Sequence, residues 1–286
     1  MASAYLFVHF REKETPDGEQ VYFGLSRDGF NWEQVNGCEP VLWSQKGDKG
    51  VRDHTIVRAQ SGKFYILSTD LSLANNFNTK YQGQWQNIAR SGSKHLVLWE
   101  SGDLVNWSEE RLVGLGDEDF GCLWAPEVFH DAGRDEYVIH FSAAHASNHF
   151  GDKAIFYTRT RDFISFDKPQ LLCRKDGSGI LLQHGETLTG AYTENMSFAA
   201  EMAKLTPGAY EGPTAFKLPD GKWCLMLDFY GVRGEGQGYV PFVADTLRGG
   251  RFVRSDEQFS FPYRFKHGTV LAITADEYER IRRHFS

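Results

Sequence analysis

A chain of 286 residues with 41% hydrophobic and 14% aromatic residues can bury a sizeable core, which excludes wholesale disorder. Its formal net charge of −7, with no long Lys/Arg block, disfavours a nucleic-acid partner and suits a neutral ligand such as a sugar. No stretch approaches the roughly 18 apolar residues of a membrane span, so no membrane partner is expected.

The first segment, MASAYLFVHFREKE, alternates like a strand and carries no basic region before its apolar run. No signal peptide is read there, and a cytoplasmic location is expected, or a secreted one if a leader has been removed. Four cysteines (Cys38, Cys122, Cys173 and Cys224) are spread without a CxxC pair. Buried free thiols are the expectation, with three disulfide pairings left open.

In chain order, a tight turn with an acid and a following aromatic returns five times: SRDGFNW at 26–32, ESGDLVNW at 100–107, TRTRDFISF at 158–166, HGETLTGAY at 184–192 and VADTLRGGRF at 243–252. Each follows a strand-like run. The turn Asp is expected to accept hydrogen bonds from backbone N–H groups just ahead of it while the aromatic packs under the next strand. A second pattern is an acid, a short apolar strand, a turn and an aromatic strand. It occurs at 51–70, 124–142 and 210–228, placing Asp53, Glu127 and Glu211 at what read as equivalent points.

Together the two patterns describe four-stranded units repeated around an axis, and hence an all-β, five-bladed β-propeller of antiparallel blades over residues 1–286 as one domain. The blade begun by residues 5–32 lacks an inner strand, which FKHGTVLAIT (265–274) supplies, so both termini close the ring. The tail DEYERIRRHF places Tyr278, Ile281 and Phe285 on one helical face. One interval departs from the pattern. Asp162 to Glu186 is 24 residues, whereas Asp103 to Asp162 and Glu186 to Asp245 are each 59. The third blade is therefore expected to be shortened. Long connections span 71–92, with Phe77, Tyr81 and Trp85, and 195–208. The Gly-rich GVRGEGQG (231–238) reads as a hairpin connection, not a phosphate loop.

Inner strands line the channel of a propeller, so Asp53, Glu127, Glu211 and His267 are expected to converge at one mouth. Two carboxylates facing across a pocket suit glycoside hydrolysis: one stays ionised to activate water, the other stays protonated to serve the leaving oxygen, and a third shifts its neighbour's pKa. Trp124, Trp85, Phe77 and Tyr81 are candidates for the sugar-stacking rim, and His54 and His145 for further substrate contacts.

The motifs RDHTIVR, LWAPEVF, YEGPTAFK and KHGTVLAIT resemble, in order and spacing, those of glycoside hydrolase family 43, five-bladed propellers acting on arabinose- and xylose-containing polysaccharides. The resemblance implies Asp53 as general base, Glu127 as pKa modulator and Glu211 as general acid. It implies no cofactor for the chemistry, but a calcium or other cation near the axis with His267 in its surroundings. It also implies an arabinose- or xylose-containing substrate, and an inverting exo-acting α-L-arabinofuranosidase. Alternatives are a β-D-xylosidase or dual enzyme, endo-cleavage of arabinan, and a carbohydrate-binding propeller with impaired catalysis. His54 stands where the family usually has Pro, and Glu127 where Asp is usual. The shortened blade is expected to widen the cleft.

Overall fold

Runs such as Phe64–Asp70 are buried on both faces, and their alternation decides which neighbour each side chain meets. Phe64 and Ile66 join one core cluster, Tyr65 and Leu67 the next. Sheets with two apolar faces must be sandwiched between sheets, and the chain does this repeatedly. The computed structural model describes residues 4–11, 14–174, 183–185, 188, 192–204, 209–230, 238–247 and 249–286.

In chain order the strands are β1 (Ala4–His9), β2 (Tyr22–Ser26), β3 (Trp32–Gln34), β4 (Val51–Arg58), β5 (Phe64–Asp70), β6 (His95–Ser101), β7 (Arg111–Gly114), β8 (Phe120–Asp131), β9 (Glu136–His145), β10 (Ala154–Thr160) and β11 (Gln170–Cys173). There follow β12 (Gln183–Gly185), β13 (Tyr192–Glu194), β14 (Ala209–Lys217), β15 (Trp223–Tyr230), β16 (Gly238–Ala244), β17 (Val253–Arg254) and β18 (Gly268–Ile273). Four antiparallel sheets of four strands result, ordered β18-β1-β2-β3, β4-β5-β6-β7, β8-β9-β10-β11 and β14-β15-β16-β17. The fold is an all-β propeller. The expected five blades are corrected to four among the described residues, with only the two-stranded β12–β13 hairpin where the third blade falls in chain order. Part of that region, including Glu186 of the fourth acid turn, lies outside the described residues, as do 231–237 of the Gly-rich segment. Phe229 nevertheless pairs with Gly238, so β15 and β16 are hairpin neighbours.

Both termini complete one sheet, as the sequence suggests. Ala4 to His9 pair in unbroken antiparallel register with Ile273 to Gly268. Beyond β18, α4 (Ala275–His284) begins with a capping box: the Thr274 hydroxyl accepts from the Glu277 N–H, and the Glu277 carboxylate accepts from the Thr274 N–H. Its Tyr278 and Ile281 are buried in the cluster shared by β1, β2, β4, β5 and β6.

Three acid turns share one set of bonds. Asp28 Oδ1 accepts from the N–H groups of Phe30 and Asn31, Asp103 Oδ1 from Val105 and Asn106, and Asp162 Oδ1 from Ile164 and Ser165, all at 2.7–3.0 Å. The long connection after β5 contains α1 (Leu73–Asn76) and α2 (Trp85–Ser91), and the one after β13 contains α3 (Met196–Met202). The cysteines are free thiols, but only Cys122 and Cys224 are buried; Cys38 is half-buried and Cys173 exposed.

The terminal helix welds two blades to the ring closure. Replacing the fully buried Ile281 by Ala is expected to cost about 2–4 kcal/mol through lost burial and a residual cavity. Urea denaturation monitored by tryptophan fluorescence measures it, and a loss below about 0.5 kcal/mol would show that α4 is dispensable to the core.

Candidate active site

The inner strands β4, β8 and β14 are each broken by a bulge at the same level. In β4 the register passes from Arg52 opposite Thr69 to Thr55 opposite Leu67, so Asp53 and His54 together face one residue. In β8 Ala125 and Pro126 are the extra pair, and in β14 Gly212 and Pro213. The first residue of each bulge is left-handed, with φ of 53° at Asp53, 51° at Ala125 and 57° at Gly212. The three acids are therefore not at equivalent points. Glu211 shares a position with Arg52 and Trp124, ahead of the bulge. Asp53 sits in the bulge, and Glu127 follows it, level with Thr55 and Thr214. One repeated backbone device thus delivers three carboxylates from three different positions: ahead of the bulge, at its first residue and just past it.

Asp53 has a partner on each oxygen. Oδ1 lies 3.2 Å from His267 Nδ1, and Oδ2 accepts from the Thr69 hydroxyl at 2.9 Å. That hydroxyl accepts from the Ala125 N–H at 2.8 Å, so the bulge of β8 feeds the carboxylate on β4. Burial pushes the Asp53 carboxyl up, but the charge and hydrogen bond of His267, with Arg52 and Thr69, outweigh it and hold the group well below the usual carboxylate range. The converse holds at His267. Burial opposes its charge, yet Asp53, Glu211 and Glu127 together raise it to about 9, so the ring is an imidazolium at neutral pH.

His267 is itself held firmly. Its backbone N–H donates to Asp228 Oδ2 at 3.3 Å, while Asp228 Oδ1 accepts from Lys266 Nζ at 2.8 Å. The ring lies on Gly212, where a Cβ would come within 2.4 Å of ring carbons, so the site needs glycine for space as well as for backbone conformation. The Tyr239 hydroxyl donates to the Gly212 carbonyl at 2.6 Å and accepts from the Gly268 N–H at 2.8 Å, tying the β14 bulge to the start of β18.

Glu127 and Glu211 move in the opposite sense from Asp53. Burial raises Glu127 to about 7, against the pull of His267 and a hydrogen bond from the Thr55 hydroxyl at 3.3 Å. Burial also raises Glu211; His267 pulls it down, while Asp53 and Asp228 push it up. Asp228 pairs directly across from Glu211 on β15. It belongs to the site although no sequence motif marks it. So do Thr69, in the polar end of β5, and Tyr239, a hydroxyl-bearing side chain on the otherwise apolar β16.

The structure brings Asp53, Glu127, Glu211 and His267 together, and groups Trp124 with Trp85, whose rings meet edge to face at 6.1 Å between centroids. Phe77 lies against Trp85 at 5.5 Å. Tyr81 is instead fully buried, its hydroxyl donating to Asp48 Oδ2 at 2.6 Å. His54 is also sealed from solvent. Its Nε2 donates to the Gln20 carbonyl and its Nδ1 accepts from the Ser68 hydroxyl, so it fills the blade interior and does not face a ligand. Its bulge position matches Pro126 and Pro213, a place where the ladder has little use for an N–H. His145 caps a short turn through the Ser147 N–H and packs on Phe120 and Phe156.

His267 Nδ1 faces the Asp53 carboxylate, so that nitrogen is engaged in the ion pair. Among the described residues no group of three or more His, Cys, Asp or Glu is arranged to hold a metal ion.

A propeller whose inner strands gather one carboxyl held low by an ion pair and two raised by burial offers the unlike carboxyl pair that glycoside hydrolysis requires. A family model described as "Probable glycosyl hydrolase domain", related to family 43, matches residues 1–181 and 172–279. The chain belongs to this family of glycosyl hydrolase domains. An α-L-arabinofuranosidase of Bifidobacterium longum is 27% identical over 190 residues, covering 59% of this chain and 17% of that protein, so the chain spans under a fifth of its length. Among solved structures, a thermostable family-43 glycoside hydrolase is 18% identical over 75% of each chain, with a TM-score of 0.47. An exo-β-1,3-galactanase of Phanerochaete chrysosporium is 15% identical over 78% of this chain and 53% of that one, with a TM-score of 0.44.

The His267 pair has a thermodynamic signature. The folded pKa, about 9, exceeds the ordinary 6.5, so the stabilisation is complete below pH 6.5 and is lost as pH rises through 9. Urea melts of the native protein between pH 7 and 9 are expected to show stability falling by about 1–3 kcal/mol, and His267→Gln to lack that slope. An equal slope in the variant would place the proton elsewhere.

Proposed function

We propose that the protein is an inverting, exo-acting glycoside hydrolase releasing terminal α-L-arabinofuranosyl units, with Asp53 as general base and Glu211 as general acid. The observation that carries this reading is the opposite displacement of the two carboxyls. Asp53, paired on both oxygens, stays ionised and is suited to taking a proton from water. Glu211, buried and raised, is suited to keeping its proton for the leaving oxygen. The reacting bonds balance simply: water's oxygen bonds the anomeric carbon from the Asp53 side, the glycosidic C–O bond breaks, and the Glu211 proton goes to the departing oxygen.

Tuning is shared more widely than one modulating acid. Burial, Asp53 and Asp228 raise Glu211, whereas Glu127 acts on His267. Glu127, raised by burial to about 7, adds to the pull of Asp53 and Glu211 that keeps His267 charged. The aromatic group of Trp124, Trp85 and Phe77 suits stacking on the sugar chain. The choice of arabinofuranose rests on the name of the Bifidobacterium longum relative. A β-D-xylosidase would use the same residues.

On a panel of aryl glycosides, Asp53→Asn and Glu211→Gln are expected to lower kcat by roughly three orders of magnitude or more while circular dichroism and Tm stay near native. The arabinofuranoside should be cleaved fastest, with proton NMR showing the inverted anomer first. Near-native turnover by either variant would refute the assignment. Retention at the anomeric carbon would exclude Asp53 acting through water.

A further inference from the structure

Among the described residues Arg52 is a cation beside the site, acting electrostatically on Asp53 and Glu211, whose hydrogen-bonding capacity is unused. Among the described residues its guanidinium donates no hydrogen bond, and its Nε is buried without a partner. The nearest carboxylate, Glu19, is 3.9 Å from Nε, beyond hydrogen-bond range. Glu19 is meanwhile committed elsewhere, accepting from the Ser72 hydroxyl and the N–H groups of Leu73 and Ala74 at 2.8–3.0 Å. It neutralises Arg52 without occupying its donors. The guanidinium carbon also sits 4.9 Å from the centroid of the Phe10 ring, a cation–π contact. A buried Nε left unpaired, on a guanidinium that donates no hydrogen bond among the described residues, calls for an explanation.

The bulge register supplies one. Arg52 occupies on β4 the position that Glu211 occupies on β14 and Trp124 on β8, the last paired residue before the bulge. Side chains at matching positions of radially repeated strands project toward the same level of the axis. Arg52 is also close enough to act electrostatically on both Asp53 and Glu211.

We propose that Arg52 is a specificity-determining residue whose free guanidinium edge binds a vicinal pair of hydroxyls on the terminal sugar, anchoring that ring between Asp53 and Glu211. A planar fork of N–H donors matches two adjacent oxygens, which the point charge of a lysine does not. A sugar carboxylate is disfavoured, because it would stand beside the ionised Asp53. The inference rests on the glycosidase reading above and adds what selects the sugar.

The test is a substrate-by-variant cycle with the full chain. Arg52→Met and Arg52→Lys are assayed on the aryl glycoside cleaved best and on its monodeoxy analogues. Arg52→Met is expected to lose about 100-fold in kcat/KM on the parent sugar, with Arg52→Lys recovering only part of it. On the analogues lacking an anchored hydroxyl the Arg52→Met penalty should shrink to about threefold or less. A penalty of equal size on every analogue overturns the proposal, since a residue that merely positions Asp53 would show that pattern. In parallel, saturation-transfer NMR with the free monosaccharides reads binding without turnover. Loss of the signal in Arg52→Met supports the anchor, while equal signals in both proteins, or none in either, refute it. Absence of hydrolysis by the native protein would sink the glycosidase reading alone, because the binding arm still decides the role of Arg52.

Discussion

The ion pair between Asp53 and His267 is the constraint on which the site depends. One partner comes from the second sheet and the other from the segment that closes the ring, so the pair forms only when both ends of the chain meet. Burying two charges is costly unless geometry and further hydrogen bonds compensate. The compensation is visible on both sides: Thr69 serves the free oxygen of Asp53, and Asp228 with Lys266 fixes the backbone that carries His267. A propeller with no use for a permanently ionised carboxylate at its axis would be better served by apolar packing there. Such an arrangement is more readily understood as chemistry than as architecture.

The bulges convert that constraint into three different acids. A left-handed residue is cheap at Gly212, tolerated at Asp53 and costly at Ala125, and strain of this kind persists only where the surroundings over-determine it. Here the Ala125 N–H is aimed at the Thr69 hydroxyl, which in turn donates to Asp53. The strained residue therefore contributes to holding the anion. Because the acids leave their strands ahead of, within and beyond the bulge, they meet different neighbours. Asp53 reaches the imidazolium, Glu127 reaches Thr55, and Glu211 faces Asp228 across its own hairpin. Equivalent placement would have given three like groups repelling one another. Staggered placement separates their proton affinities.

Much of this was legible in the sequence, and the part that was not has a common cause. Hairpins, acid turns, ring closure and the terminal helix announce themselves through local period and spacing, which survive without tertiary information. The register at the bulges does not, because aligning RDHT, WAPE and YEGP on their acids hides shifts of one and two positions that only strand pairing reveals. His54 misled for the same reason: beside a catalytic candidate in sequence, it points into the blade, where Ser68 and Gln20 satisfy it. Asp228, Thr69 and Tyr239 act through cross-strand bonds to partners up to 56 residues away, as from Ala125 to Thr69, and no linear motif encodes such bonds. The reading of a shortened third blade came from a count of residues between turns, and the described strands there form a hairpin of two.

Among the described residues the site stands on four full sheets, without a contribution from the β12–β13 hairpin. The inner strands that carry the charged groups form one contiguous arc, with β8 beside β4, β4 beside β18, and β18 beside β14. Asp53, Glu127, Glu211, His267 and Arg52, with Asp228 behind them, all belong to this arc or to its second strands. The apolar clusters that hold it also run between neighbouring sheets of the same arc, from β8–β11 through β4–β7 and the closing sheet to β14–β17. In chain order the β12–β13 hairpin falls between the two ends of the arc and supplies none of the named groups. The groups of the site therefore rest on the four full sheets, and none of them depends on the β12–β13 hairpin.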